Sequence, residues 1–400
     1  MAVRRLPMPE FIALMALIFA TLAFSIDAML PAFPQIAKEL AAGDTNKAQL
    51  ILSFFMAGIG LGTFFTGPLS DAFGRLPVLF VGFALYAAGS ALAYFAPSLE
   101  LLFAARFIQG LGGAAPRIVT MAIIRDLHDG RRMAQITSFI MTVFMLVPAF
   151  APFLGQFFIA AWGWRSIFLA YVVFALIVMV WLKLRQAETL DPAKRRAFNF
   201  STYFAGAKDV LSRRDVVLVI IVLSFGFGQM FALLSSTQQI YDVTYDRGAT
   251  FPFWFMVTAG CSALSTILNA TLVMRLGMKR MAMSAYLFQI CFSACMLIVF
   301  QFKLAPQGAE FWFFFAWSVS VFIMASLTFG NLNALGLQPL GHMAGMGATL
   351  IGGISTIASV LIAYPISQSF SGTPVPLMIG TVVCSTICAS LLWSVKPVGH

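Results

Sequence analysis

The chain is 400 residues long, 60% hydrophobic and only 10% charged, whereas a soluble domain carries about a quarter of its residues as Asp, Glu, Lys or Arg. One aqueous core cannot hide so much apolar surface, so the bilayer must solvate most of it, which excludes a soluble enzyme or binding module. The net charge of +10 does not point to nucleic acid, because no basic stretch is interleaved with aromatics as a single-strand binder requires.

From the N-terminus, MAVRRLPMPEFIALMALIFATLAF places basic residues before an apolar run, as a signal peptide would. The run outlasts a normal h-region and no A-x-A site follows, so Arg4 and Arg5 are expected to hold the N-terminus in the cytoplasm. Apolar runs near 20 residues predict twelve spans: 11–31, 49–69, 77–96, 99–122, 134–158, 165–184, 216–238, 251–274, 281–302, 311–331, 345–368 and 375–395. Pro97-Ser98 is a tight turn that makes a hairpin of the third and fourth spans. With the N-terminus inside, all Lys and Arg outside the spans fall on the cytoplasmic side except Lys38, Lys47, Arg165, Arg247 and Lys303. Both termini are therefore expected inside. The expected domains are a six-helix bundle over 1–184, a basic cytoplasmic linker over 185–214 and a second bundle over 215–400. The linker carries an amphipathic helix around 201–212 at the membrane surface.

GPLSDAFGRLPVLF at 67–80 and RLGMKRM at 275–281 are basic turns between apolar spans, with Gly74 and Gly277 about half the chain apart. That distance suggests two related halves, as transporters have. The five cysteines, 261, 291, 295, 384 and 388, lie inside apolar runs with no His, Asp or Glu nearby; they read as packing residues, with no metal site and no disulfide framework. The histidines, His128, His342 and His400, fall in predicted cytoplasmic loops or the tail. Asp27 is the only acid well inside a span, and Arg106 lies about seven residues into the fourth, roughly 10 Å deep. Arg117 is deeper along that span, where snorkelling to the inner interface is the default account. Gly58, Gly60, Gly62, Gly110, Gly112 and Gly113 allow close helix approach.

The segment 67–80 resembles the signature of the major facilitator superfamily through Gly67, Leu69, Asp71, Gly74 and Arg75, with Leu76 where a second basic residue is usual. RFIQGLGGAA at 106–115 is similar to the fourth-span motif. IDAMLPAFP at 26–34, IIRDL at 123–127, PAFAPFLGQ at 148–156, WRSIF at 164–168 and GNLNALGLQPLGHMAG at 330–345 resemble the Bcr/CflA group of drug:proton antiporters. The fifth-span motif departs from the family pattern, with Ala151-Pro152 and then Gly155-Gln156.

The resemblance implies an all-α integral membrane fold of twelve transmembrane helices in two pseudo-symmetric six-helix halves. It also implies a monomeric, multi-pass protein of a bacterial inner membrane that exchanges a small molecule for protons without a cofactor. Asp71 would then sit against the N-terminus of the eleventh span near 344–345, a contact of roughly 0.3–2 kcal/mol, and with Gly67, Gly74, Arg75 and Asp126 form a conformational latch; the alternative is ordinary loop charge. Asp27 would carry the proton with Arg106 tuning it, or the two would form a structural ion pair. Pro148, Pro152 and Gly155 would bend the fifth span. Phe24, Phe107, Gln109, Phe227, Gln229, Met230, Phe231, Trp317 and Asn331 are candidate substrate contacts on cavity-lining spans.

The leading expectation is a proton-driven exporter of small, mostly apolar or cationic compounds working by alternating access. The alternatives are a carrier of the same fold for one amino acid, peptide or nucleoside, and a non-transporting membrane sensor. An enzyme is the least favoured, since no Ser/His/Asp set, metal cluster or phosphate-binding loop stands where substrate could reach it.

Overall fold

A computed structural model describes residues 6–195 and 199–395. Arg4, Arg5, Arg196 and Lys396, which the charge argument used, and His400 of the tail lie outside the described residues. Among the described residues, twelve helices are long and apolar enough to cross a membrane.

The chain divides into two compact units, residues 1–44 with 51–203, and residues 45–50 with 204–400. The first unit holds α1 (Met8–Asp27), a 3-10 turn (Leu30–Ala32), α2 (Phe33–Leu40), most of α3 (Thr45–Phe73), α4 (Arg75–Tyr94), α5 (Leu99–Leu127), α6 (Gly130–Trp162) and α7 (Arg165–Arg185). A short helix, α8 (Phe200–Ser212), follows the connecting segment and exposes Phe204. The second unit holds α9 (Arg214–Gln239) with a π turn (Ile240–Thr244), α10 (Phe251–Leu276), α11 (Met278–Gln301), α12 (Glu310–Leu337), α13 (Ala344–Gln368) and α14 (Val375–Ser394).

The first span differs from its expected 11–31. It runs over Met8–Leu40 and is interrupted after Asp27. The interruption has a covalent cause: Pro31 has no N–H to return to the Asp27 carbonyl, and Pro34 none for Leu30. Asp27 therefore sits at a helix end inside the span, with α2 continuing beyond it.

Glycines set the packing of the first unit. A Cβ on Gly58 or Gly62 of α3 would run into the Phe107 or Leu111 carbonyl of α5. A Cβ on Gly112 of α5 would strike the backbone of Gly82 and Tyr86 in α4. Backbone is in contact with backbone on two sides of α5, so dispersion and close approach hold helices that gain nothing from burial against lipid. In the second unit Gly228 of α9 meets Ile362 of α13, and Ser355 Oγ of α13 donates to the Ile220 carbonyl at 3.2 Å.

Candidate transport site

Helix α1 leaves its last carbonyls without in-helix donors, and side chains from two other helices meet the Ser25 carbonyl while a third meets its hydroxyl. The Ser25 carbonyl accepts from Arg106 Nη2 of α5 at 3.2 Å and from the Tyr171 hydroxyl of α7 at 3.3 Å. Ser25 Oγ donates to the Thr21 carbonyl at 2.6 Å, so the Tyr86 hydroxyl of α4 is the donor in its 2.5 Å contact with Ser25 Oγ. Gln109 links the other side: its Oε1 accepts from Arg106 Nη1 at 2.6 Å, and its Nε2 donates to Ser90 Oγ at 2.8 Å.

Arg106 is 1% exposed, and no carboxylate forms an ion pair with it among the described residues. Its charge is met by the carbonyl end of α1, where a helix dipole is negative, by Gln109, and by the face of Phe55, 4.0 Å from the guanidinium carbon. The geometric reason Asp27 is not its partner is angular. Ser25 and Asp27 are two residues apart, about 200° around the helix, so the face that receives Arg106 is not the one that carries Asp27.

Asp27 is 5% exposed, with no hydrogen bond or ion pair among the described residues. Its neighbourhood is tight. Gly155 of α6 lies so close to Ala28 that a Cβ there would overlap the Ala28 carbonyl. Helix α6 continues unbroken through Pro148 and Pro152, so Gly155 acts at this spot as a contact with the end of α1. Phe24 packs edge-on against Tyr171, with ring centroids 5.4 Å apart.

A second cluster forms at the turn between α3 and α4. Gly74 has φ 106°, a conformation open to glycine and costly for other residues. Arg75 is buried and donates to Asp71 at 2.5 Å, to Ser70 at 2.9 Å and to Asp126 of α5 at 2.8 and 3.4 Å. The Gly67 carbonyl accepts from Ser70 Oγ at 2.9 Å. Glu188, from the connecting segment, caps α4. Its carboxylate accepts from the amides of Arg75 and Leu76, each at 3.0 Å, and from those of Thr189 and Leu190, each at 2.9 Å. Thr189 Oγ1 donates to Asp126 at 3.1 Å. The corresponding turn of the second unit repeats the backbone, with Gly277 at φ 79°. Its side chains differ: Lys279 Nζ donates to the Trp393 and Val395 carbonyls at 3.1 and 2.6 Å.

The two halves also repeat at the buried network. Ser90 lies fifteen residues into α4 and Ser293 fifteen into α11; Arg106 lies seven into α5 and Trp317 seven into α12. Where Gln109 donates to Ser90, both Trp317 Nε1 and Gln289 Nε2 donate to Ser293 Oγ, each at 2.9 Å. The second half thus carries an uncharged counterpart of the Arg106 network.

Of the candidate contacts in the second unit, Trp317 has no exposed surface and is held in this core. Asn331 is 6% exposed and donates to Asn269 at 2.8 Å, and Gln229 accepts from Ser385 Oγ at 2.9 Å. Phe227, Met230 and Phe231 are half-buried on α9; Phe227 stacks on Phe231 and contacts Phe329, with centroids 4.2 Å apart. Phe107 is half-buried, while Gln109 is fully buried.

Sequence reasoning missed Ser25, Tyr86, Ser90, Tyr171 and Phe55 because each is an ordinary residue for a span. Glu188 had a signal, being an acid at the start of a basic segment.

The family model described as Major Facilitator Superfamily matches residues 14–363. A Haemophilus influenzae protein named bicyclomycin resistance protein homolog is 26% identical over 91% of this chain and 90% of its own length. A Citrobacter koseri protein named multidrug resistance protein MdtL is 26% identical over 94% and 93%. Among solved structures, a D-xylose–proton symporter superposes with a TM-score of 0.75 over 97% of this chain and 98% of its own, at 15% identity, a likeness of fold alone. The chain is a multi-pass membrane transporter of the major facilitator superfamily.

Proposed function

We propose that this transporter exports small molecules by alternating access in exchange for protons, with Asp27 as the proton-carrying group. It would act as a monomer in a bacterial inner membrane with both termini in the cytoplasm. One observation carries the reading: a carboxyl is buried at a helix end inside the first span, with no partner among the described residues, beside a charge network that does not use it. An unpartnered buried carboxylate is costly, and taking up a proton removes that cost. A group so placed couples charge to whatever hydrates or dries the end of α1. The resistance names of two relatives support export as the direction. The cluster of Asp71, Arg75, Asp126 and Glu188 would hold the inner ends of α3, α4 and α5 as one body during the cycle.

The test is proton release from inverted vesicles carrying the wild type or Asp27→Asn, followed with a pH-sensitive dye as compounds are added to a standing gradient. Compound-dependent release in the wild type and none in the variant is expected. Release that survives the substitution removes Asp27 as the carrier, and saturable movement of one metabolite without proton release favours a narrow carrier instead.

A further inference from the structure

Among the described residues, Arg117 of α5 is the one charge deep within a span that neither the Arg106 network nor Asp27 accounts for. Between residues 105 and 124 of α5 it is the only exposed position. Among the described residues its guanidinium has no hydrogen bond, ion pair or aromatic face. The contrast within the same unit is sharp: Arg75, Arg165 and Arg185, at span ends, each have a carboxylate at 2.5–2.8 Å.

Snorkelling does not explain it. Arg117 lies eight residues, more than two turns, before Arg125 near the end of α5. Side chains of a helix lean toward its N-terminus, and the N-terminus of α5 is the end farther from Arg117. The side chain thus leans away from its nearer water. An exposed lone guanidinium facing hydrocarbon would cost several kcal/mol, so the surface at Arg117 must be wet. Eleven residues separate it from Arg106, which brings the two within about 20° around the helix. One face of α5 therefore carries two positive charges, one buried and bonded to Gln109 and the Ser25 carbonyl, one exposed and free to bind.

We infer that Arg117 is a specificity-determining residue of the transport path, and that the substrates are apolar compounds bearing an oxyanion such as a carboxylate or sulfonate. A guanidinium fork matches such groups through two parallel hydrogen bonds. A cationic compound would instead meet repulsion from a charge with no counter-ion of its own. The inference rests on the transport reading above and narrows its substrate class.

Binding to the purified full-length chain tests it without a proton gradient. The probes are pairs of similar shape and opposite charge: fluorescein against rhodamine 6G, and 2-naphthoate against 2-naphthylmethylammonium. The wild type should bind the anion of each pair more tightly. Arg117→Gln should weaken the anions about tenfold or more, leave the cations unchanged or tighter, and Arg117→Lys should recover part of the loss. Thermal unfolding of each variant checks its fold; if the Gln variant unfolds, the Lys variant must still weaken anions selectively. The inference is overturned if the wild type prefers the cations, if no anion binds below about 1 mM, or if the substitutions weaken both charges equally. Because binding needs no gradient, anion selectivity that persists without proton-coupled export would count against the proposed coupling and leave Arg117 in place.

Discussion

Gly155 offers the sharpest test of the packing around Asp27. The three atoms nearest its missing Cβ are all backbone atoms of Ala28, the farthest of them at 3.1 Å. Backbone cannot swing aside as a side chain would, so in Gly155→Ala the helices α1 and α6 must part where α1 ends. Overpacking of this kind costs about 1–3 kcal/mol, and contact with backbone places it near the upper end. Replacing glycine inside a helix returns about 0.5–1 kcal/mol, leaving a net destabilisation of about 2 kcal/mol. Gly260 in α10 is the control, since nothing lies within 4 Å of its Cβ position. Gly260→Ala should be stabilising by about 0.5–1 kcal/mol. The assay is equilibrium unfolding of both variants in one detergent, paired with the vesicle assay of proton release. Opposite signs are expected, with release impaired only in Gly155→Ala because Ala28 adjoins Asp27. A Gly155→Ala protein as stable as the wild type, or a common shift of both variants, would refute the argument.

Two further predictions concern Glu188 of the connecting segment and Tyr203 of α8. Glu188→Ala should remove the acceptor of four backbone amides at 2.9–3.0 Å and loosen the start of α4 by about 0.5–2 kcal/mol, with Glu188→Gln losing less. Amide exchange over residues 75–80 should quicken in that order, and unchanged exchange would contradict the cap. Burial holds the Tyr203 phenol above its usual range, and it donates to the Phe64 carbonyl at 3.1 Å. A raised folded-state value means the phenol's contribution is complete below about pH 10 and is lost as pH climbs past it. The stability gap between wild type and Tyr203→Phe should therefore shrink above about pH 10, and a gap indifferent to pH would remove the phenol as a tether.

Much of the architecture was legible in the residues. Twelve apolar runs became twelve spanning helices because lipid demands that each segment satisfy its own backbone. The turns at Gly74 and Gly277 were visible as a repeat because both need a positive φ that glycine supplies. The first span was read too short: Pro31 and Pro34 were in plain view, but an apolar run shows no sign of whether a helix stops or merely pauses.

The site was harder to read, for a reason of distance. Arg106 meets a backbone carbonyl 81 residues away, and Glu188 caps a helix that begins 113 residues earlier. A carbonyl has no letter in the sequence, so no motif could announce Ser25 as the partner of Arg106. Local chemistry determined by itself that this chain crosses a membrane twelve times and carries three charges well inside its spans. Only the tertiary structure decided which of those charges meets a helix end, which is buried without a partner among the described residues and which is left exposed. Those outcomes depend on how helices distant in sequence turn their faces toward one another, and hydropathy alone cannot set that rotation.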